Sequence, residues 1–180
     1  MARKVEFTFD PFDLVGEDKD GLSPGDIKTV MSDVADFVLT SVLDDTANQK
    51  SSVYGNKWDA LSPKYAKIKK GKGKSPIPNL ELEGDMLSSL RVIKRSKELT
   101  LTVSGGQGDK ADGHCNHSGE SKLPLRRFIP FEPDGDTFSK PIMKGISQII
   151  RDAKAEADGS TFFQELVDKG LKITLKQEED

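Results

Sequence analysis

Hydrophobic positions change period along this chain. Val5, Phe7 and Phe9 alternate with Glu6 and Thr8, the two-residue period of a half-buried strand, and Pro11 ends it. The polar run 16–22, GEDKDGL, predicts a loop. The period then becomes helical. Ile27, Val30, Met31, Val34, Phe37, Val38 and Val42 fall on one stripe, with Asp33, Asp36 and Asp44 off it. Ser23 is a good N-cap, Pro24 fits the first helical position, and Asp26 stands where a capping-box carboxylate belongs. This helix should fade between Asp44 and Gln49.

Residues 50–79 lose periodicity. A short helix from Ser62 to about Lys69 fits a Ser62 cap with Pro63 behind it. Gly71, Gly73, Pro76 and Pro78 then break any regular element. With Lys64, Lys67, Lys69, Lys70, Lys72 and Lys74 along it, the stretch 64–79 reads as a mobile basic arm. Leu82, Met86, Leu87 and Leu90 give helical spacing across 80–90, although Gly84 weakens that helix by about 1 kcal/mol. Two strands follow, one holding Val92 and Ile93, the other with Leu99, Leu101 and Val103 alternating with Thr100 and Thr102. Ser96 and Lys97 form the turn between them.

SGGQGDKADG, over 104–113, reads as a glycine-rich hairpin loop, and 114–135 has no clear period. Phe138, Ile142, Met143, Ile146, Ile149, Ile150 and Ala153 mark a second long amphipathic helix, with Gly159 as its natural stop. The tail 160–180 carries Phe162, Phe163, Leu166 and Val167, then an alternating LKITLK and an acidic end. The expected class is α+β: a small antiparallel sheet against two long amphipathic helices, with extended arms and loops. The expected division is an N-terminal strand and loop over 1–22, one domain over 23–159, and an extension over 160–180.

Composition narrows the function. The chain has 180 residues, enough for one ordinary domain. Apolar residues are only 34% and charged residues 32%, so a small core with surface buried on assembly is expected. Lys+Arg 27 against Asp+Glu 30 gives a net charge of -3. That balance disfavours a dedicated DNA-wrapping protein, which needs clustered excess cation. No apolar run approaches the roughly 18 residues that span a bilayer, so no membrane partner is expected. The start, MARKVEFTFD, turns polar too soon for a signal peptide. One cysteine, Cys115, excludes an intrachain disulfide and fits a reducing compartment.

Several clusters could carry chemistry. His114-Cys115-Asn116-His117 is the densest polar group. Zinc needs four ligands, usually in two pairs, and no second pair exists here. A Cys115 nucleophile with His114 or His117 as base would make the chain a small cytosolic enzyme, but adjacent residues of a strand point to opposite faces. SGGQG lacks the GK[ST] and the helix of a phosphate loop. No cofactor is expected. The Lys64–Lys74 arm could make a nucleic-acid-binding module, with Lys67, Lys69, Lys70, Lys72 and Lys74 facing DNA, although Tyr65 is its one aromatic and no stacking platform accompanies it.

Three stretches, in order, resemble a family. They are Tyr54-Gly55-Asn56-Lys57-Trp58-Asp59-Ala60-Leu61-Ser62-Pro63 with Tyr65 and the lysines; Leu80-Glu81-Leu82-Glu83-Gly84-Asp85-Met86-Leu87-Ser88-Ser89-Leu90; and His117-Ser118-Gly119 followed by Leu123-Pro124-Leu125-Arg126-Arg127-Phe128-Ile129. The set is similar to the tail-completion, or virion-morphogenesis, proteins of tailed bacteriophages, the group with Mu-type and P2-type neck proteins. The likeness covers roughly residues 25–155; the first 15 residues and 160–180 look like additions. It implies a non-enzymatic subunit of a homo-oligomeric, hexameric ring at the head–tail junction of the virion, assembled in the host cytoplasm. Its partners would be other neck proteins, the tail terminator and the head-side connector, with DNA passing through unread.

The physics of residues 123–131 suits an interface. A stiff extended segment bearing Arg and Phe is the kind of surface that neighbours bury. Arg126, Arg127, Phe128, Phe131 and Trp58 are the expected interface residues, with core attachment the competing role for the Phe pair. Adjacent arginines of an extended chain point to opposite sides. One could therefore bind within its own subunit while the other reaches a neighbour.

Overall fold

The computed structural model describes residues 4–80, 85–103, 105–116 and 124–168. Three strands, β1 (Val5–Phe9), β2 (Leu90–Lys94) and β3 (Leu99–Val103), form an antiparallel sheet in the order β1-β3-β2. Registry puts like with like. Val5, Phe7 and Phe9 stand opposite Val103, Leu101 and Leu99, while Leu90 and Val92 flank Val103 and Leu101 from the other side. One face is therefore apolar and the other carries Thr8, Thr100 and Thr102. Thr8 Oγ1 and Thr100 Oγ1 share a hydrogen bond of 2.9 Å, and Thr102 Oγ1 donates to the Val5 carbonyl. Arg95 N donates to the Glu98 carbonyl, closing the β2–β3 turn on Ser96 and Lys97 as the sequence predicts.

The N-terminal strand is an edge of this sheet, and its three apolar side chains lie in the core. The first 15 residues look like an addition because they lie outside the resembling stretches, yet β1 pairs with β3, 90 or more residues downstream. A short helix α1 (Pro11–Val15) follows, which alternation alone does not reveal. Asp10 caps it by accepting from Phe12 N at 3.0 Å, Pro11 opens it, and Gly16 ends it at a φ of 71°.

Helix α2 (Pro24–Ala47) has the capping box at Ser23 and Asp26, both bonds made, and ends where expected, before Gln49 turns at a φ of 61°. Val30, Met31, Val34, Ala35, Val38 and Val42 are buried. Burying each of the larger of these stabilises the fold by about 1.5–3 kcal/mol.

Three expectations are corrected here. The helix over 80–90 is a single turn, α4 (Asp85–Ser88), and Leu90 already belongs to β2; residues 81–84 lie outside the described residues. The glycine-rich stretch is a short 3₁₀ turn at Gly105–Gln107 and a helix, α5 (Gly108–Cys115). Gly108, Ala111, Asp112, Gly113 and Cys115 of this helix are buried. The second long helix, α6 (Lys140–Asp168), runs through Gly159 without stopping, across the expected boundary at 159/160.

Helix α6 buries Ile142, Ile146 and Ile150 against the core, and Phe138 just before it meets Phe7 and Phe9 edge-on. Helices α2 and α6 cross closely at Gly145, where a Cβ would lie 2.1 Å from Phe37 Cζ. The loop after α1 is tied to α6 by Glu17 with Arg151 (2.8 Å) and Ser147 (3.2 Å), and by Asp18 with Lys154 (2.6 Å). The bond from Arg151 holds the Glu17 carboxyl below its usual range. Such exposed pairs orient the loop and add little stability. The architecture is α+β, and among the described residues no helix is long and apolar enough to cross a membrane.

Candidate functional site

Pro124 and Pro130 bracket a segment whose backbone is held from both sides. Arg126 N donates to the His114 carbonyl at 2.8 Å, at the end of α5. Ser51 Oγ donates to the Arg127 carbonyl (2.6 Å) and Ser52 Oγ to the Phe128 carbonyl (2.7 Å). Both serines are buried, so these bonds satisfy carbonyls that water does not reach. Ser51 Oγ also accepts from Tyr54 N at 3.1 Å, forming the turn that starts the 51–63 stretch, and Ser52 O accepts from Ser139 N at 2.7 Å. Residues 51–55, 126–128 and 139 are one hydrogen-bonded unit.

Arg127 fills its centre. Its Nε donates to the Cys115 carbonyl (2.7 Å) and its Nη1 to Tyr54 Oη and Asp134 Oδ2 (2.8 Å each) and to Asp136 Oδ2. The guanidinium also lies against the rings of Phe131 and Tyr54, at 5.5 and 5.9 Å from their centroids. Burial alone would lower the pKa of Arg127; the bonds to Asp134 and Asp136 outweigh it and hold the group above its ordinary value. The acidic turn 132–136, with Gly135 at a φ of 69°, delivers both carboxylates.

Arg126 enters different surroundings. It is 4% exposed, and its Nε has no hydrogen-bond partner. It lines a cavity of about 360 Å³ with Asp59, Ala60, Leu61, Ser62, Tyr65, His114 and Pro124. Burial lowers its pKa; the nearby Tyr65 and Asp59 act the other way. The cavity sits at the start of α3 (Pro63–Gly71), whose N-cap is Ser62 as the sequence predicts.

These positions revise the expected interface. Arg127 and Phe128 are committed to the subunit's own interior, with Phe128 fully buried. Arg127 Nε and Nη1 are engaged by Cys115, Tyr54, Asp134 and Asp136 of the same subunit. Arg126 is buried too, but faces a cavity. Phe131 is half-buried under Arg127, and Trp58 is half-buried against the core with an unpartnered Nε1.

The basic arm is also revised. Lys69 is 2% exposed and cannot face DNA: its Nζ donates to the Ile77 carbonyl (2.7 Å) and to Asn79 Oδ1 (2.6 Å), folding 72–79 back on α3. Pro78 and Asn79 are buried by that fold-back. Lys67, Lys70 and Lys72 are exposed and Lys74 half-buried.

Cys115 is fully buried and its thiol is pushed up to about 12, chiefly by desolvation. A thiol held neutral is no nucleophile at physiological pH. His117 lies outside the described residues. His114 is on a helix rather than a strand or turn, and its Nδ1 is 3.2 Å from the Pro124 carbonyl. The sequence singles out the arginines, and Tyr54 only as part of a resembling stretch, but not Ser51, Ser52, Asp134 or Asp136. The available signal was the acidic, proline- and glycine-bearing turn EPDGD a few residues after a paired arginine. No protein-family model, no curated protein and no solved structure matches this chain.

Proposed function

We propose that the chain is a structural subunit of a phage neck, completing the tail and joining it to the head within an oligomeric ring. The observation that carries this reading is the meeting of the first and third resembling stretches. Tyr54 bonds Arg127, and Leu61, Ser62 and Tyr65 share a cavity with Arg126. Stretches that resemble one family, joined by a bond between residues 73 apart in the chain, thus form one physical unit, which is what a shared architecture requires. A ring subunit also needs little core of its own, because neighbours bury its faces, in keeping with the low apolar content. The ring has no catalytic role and needs no cofactor. Its further partners are the other neck proteins, among them the tail terminator and the head-side connector.

DNA passes such a ring without being read. Lys64, Lys67 and Lys70, three apart on α3 and all exposed, share a face suited to that passage. The same lysines favour the second reading, a nucleic-acid-binding module. The enzyme reading loses its nucleophile with Cys115 buried.

Light scattering and negative-stain microscopy of the purified chain test the proposal: closed rings are expected. A phage deleted for the gene should accumulate filled heads and unjoined tails, and the supplied chain should restore joining. A monomer at high concentration, together with normal virions from the deletion phage, would overturn it. Steeply salt-dependent DNA binding by that monomer would favour the module instead.

A further inference from the structure

Arg126 shows what Arg127 does not: a buried guanidinium that the fold leaves without an acceptor. Where this protein buries an arginine for structure, it supplies two carboxylates, a phenol and a carbonyl. Arg126 is as well hidden, yet among the described residues no side-chain hydrogen bond or ion pair reaches its guanidinium, and its Nε is orphaned. A buried charge of this kind is unfavourable unless something answers it. The space beside it is ligand-sized, at about 360 Å³.

Three further features define what would fill that space. Helix α3 begins at the cavity with Ser62 as cap, so the positive end of a nine-residue helix lies on the same side as the guanidinium. Ala60, Leu61 and Pro124 give the walls an apolar part, which suits a carbon stem better than a bare inorganic ion. Asp59, exposed at the rim, makes no ion pair with Arg126 and adds a negative charge that disfavours a dianion. A planar guanidinium matches a planar carboxylate through paired hydrogen bonds.

We propose that the cavity between residues 59–65 and Arg126 binds a single carboxylate carried on an apolar stem, with Arg126 as its counter-ion. The carboxylate can come from a free organic acid or from an acidic side chain or C-terminus of a second copy of this chain; the recognition chemistry is the same. The site stands independently of the neck reading.

Calorimetric titration of the full chain with 3-phenylpropionate, 3-phenylpropionamide and inorganic phosphate tests it. The acid should bind at least about tenfold more tightly than its amide, because the charge-assisted bonds are lost in the amide. Arg126→Gln should weaken the acid by a similar factor while the circular dichroism spectrum is kept. Ala60→Trp, which narrows the cavity without touching the guanidinium, should weaken acid and amide alike, and it keeps the test open if Arg126→Gln does not fold. Equal binding of acid and amide, phosphate binding more tightly than the acid, or no heat at about 30 mM acid would overturn the proposal. Acid binding unchanged in both variants would do the same. Light scattering with and without saturating acid then assigns the source. Oligomers that dissociate place the natural carboxylate on a second copy, and an unchanged mass assigns it to a free acid.

Discussion

Arg126 and Arg127 are adjacent in the chain and almost equally shielded from water, at 4% and 6% exposed. Around Arg127 every acceptor is protein, drawn from Tyr54, Cys115 and the 132–136 turn. Around Arg126 there is a cavity. The difference shows that burial alone does not say what an arginine is for. A guanidinium bonded to several groups of its own fold is part of the folding unit, and removing it takes a donor from each of them. An unsaturated one is a standing cost to the subunit, so its removal should relieve the fold.

The comparison predicts effects of very different size. The largest belongs to Arg127→Met, which keeps the bulk but takes the Nε donor from the Cys115 carbonyl and leaves the half-buried Asp136 with only the Tyr54 hydroxyl. A loss of about 3–5 kcal/mol is expected from urea denaturation. Asp136→Asn in the same chain should recover part of it, and strictly additive losses would mean that the two residues do not act together. Next comes Ser52→Ala, which removes the bond to the Phe128 carbonyl and should cost about 1–3 kcal/mol in the same assay. Arg126→Met should lie within about 1 kcal/mol of wild type, or be more stable, since it replaces an unanswered buried charge with an apolar chain. A large loss there would erase the contrast between the two arginines.

Cys115 offers the gentlest probe of the same region. Its thiol, pushed up to about 12, should resist iodoacetamide at pH 8 in the folded chain and react fully in denaturant. The raised value also fixes a sign. The fold favours the neutral thiol, so its contribution is complete below the unfolded thiol's pKa. It is lost as the pH rises from there towards about 12. Comparing the alkaline denaturation of Cys115→Ala with that of wild type measures this.

The frame of the molecule was legible in sequence because it rests on local signals. The Ser23–Asp26 box, the α2 stripe and the alternation in β1 and β3 each need only neighbouring residues. Helix α5 was not, because Gly108 and Gly113 read as a loop when propensity is considered alone; close packing against the sheet overrides that preference. Gly159 misled in the same way, standing inside a helix it was expected to end. The site was half legible. Paired arginines stand out, but Tyr54 lies 73 residues from Arg127 and no periodicity links them. Lys69 is one lysine among six along 64–74, and only the fold-back of Ile77 and Asn79 distinguishes it.

The crossing at Gly145 has a mechanical meaning. The Phe37 ring occupies the notch left by the missing side chain and acts as a detent between α2 and α6. Sliding α6 by about a turn would bring Ile142 or Ile149 beneath the ring, and turning it by one residue would bring Lys144 or Ile146. Densely packed interiors do not yield gradually to such displacements. A side chain at position 145 would have to push that ring out of its seat, so the close approach of the two long helices depends on glycine there.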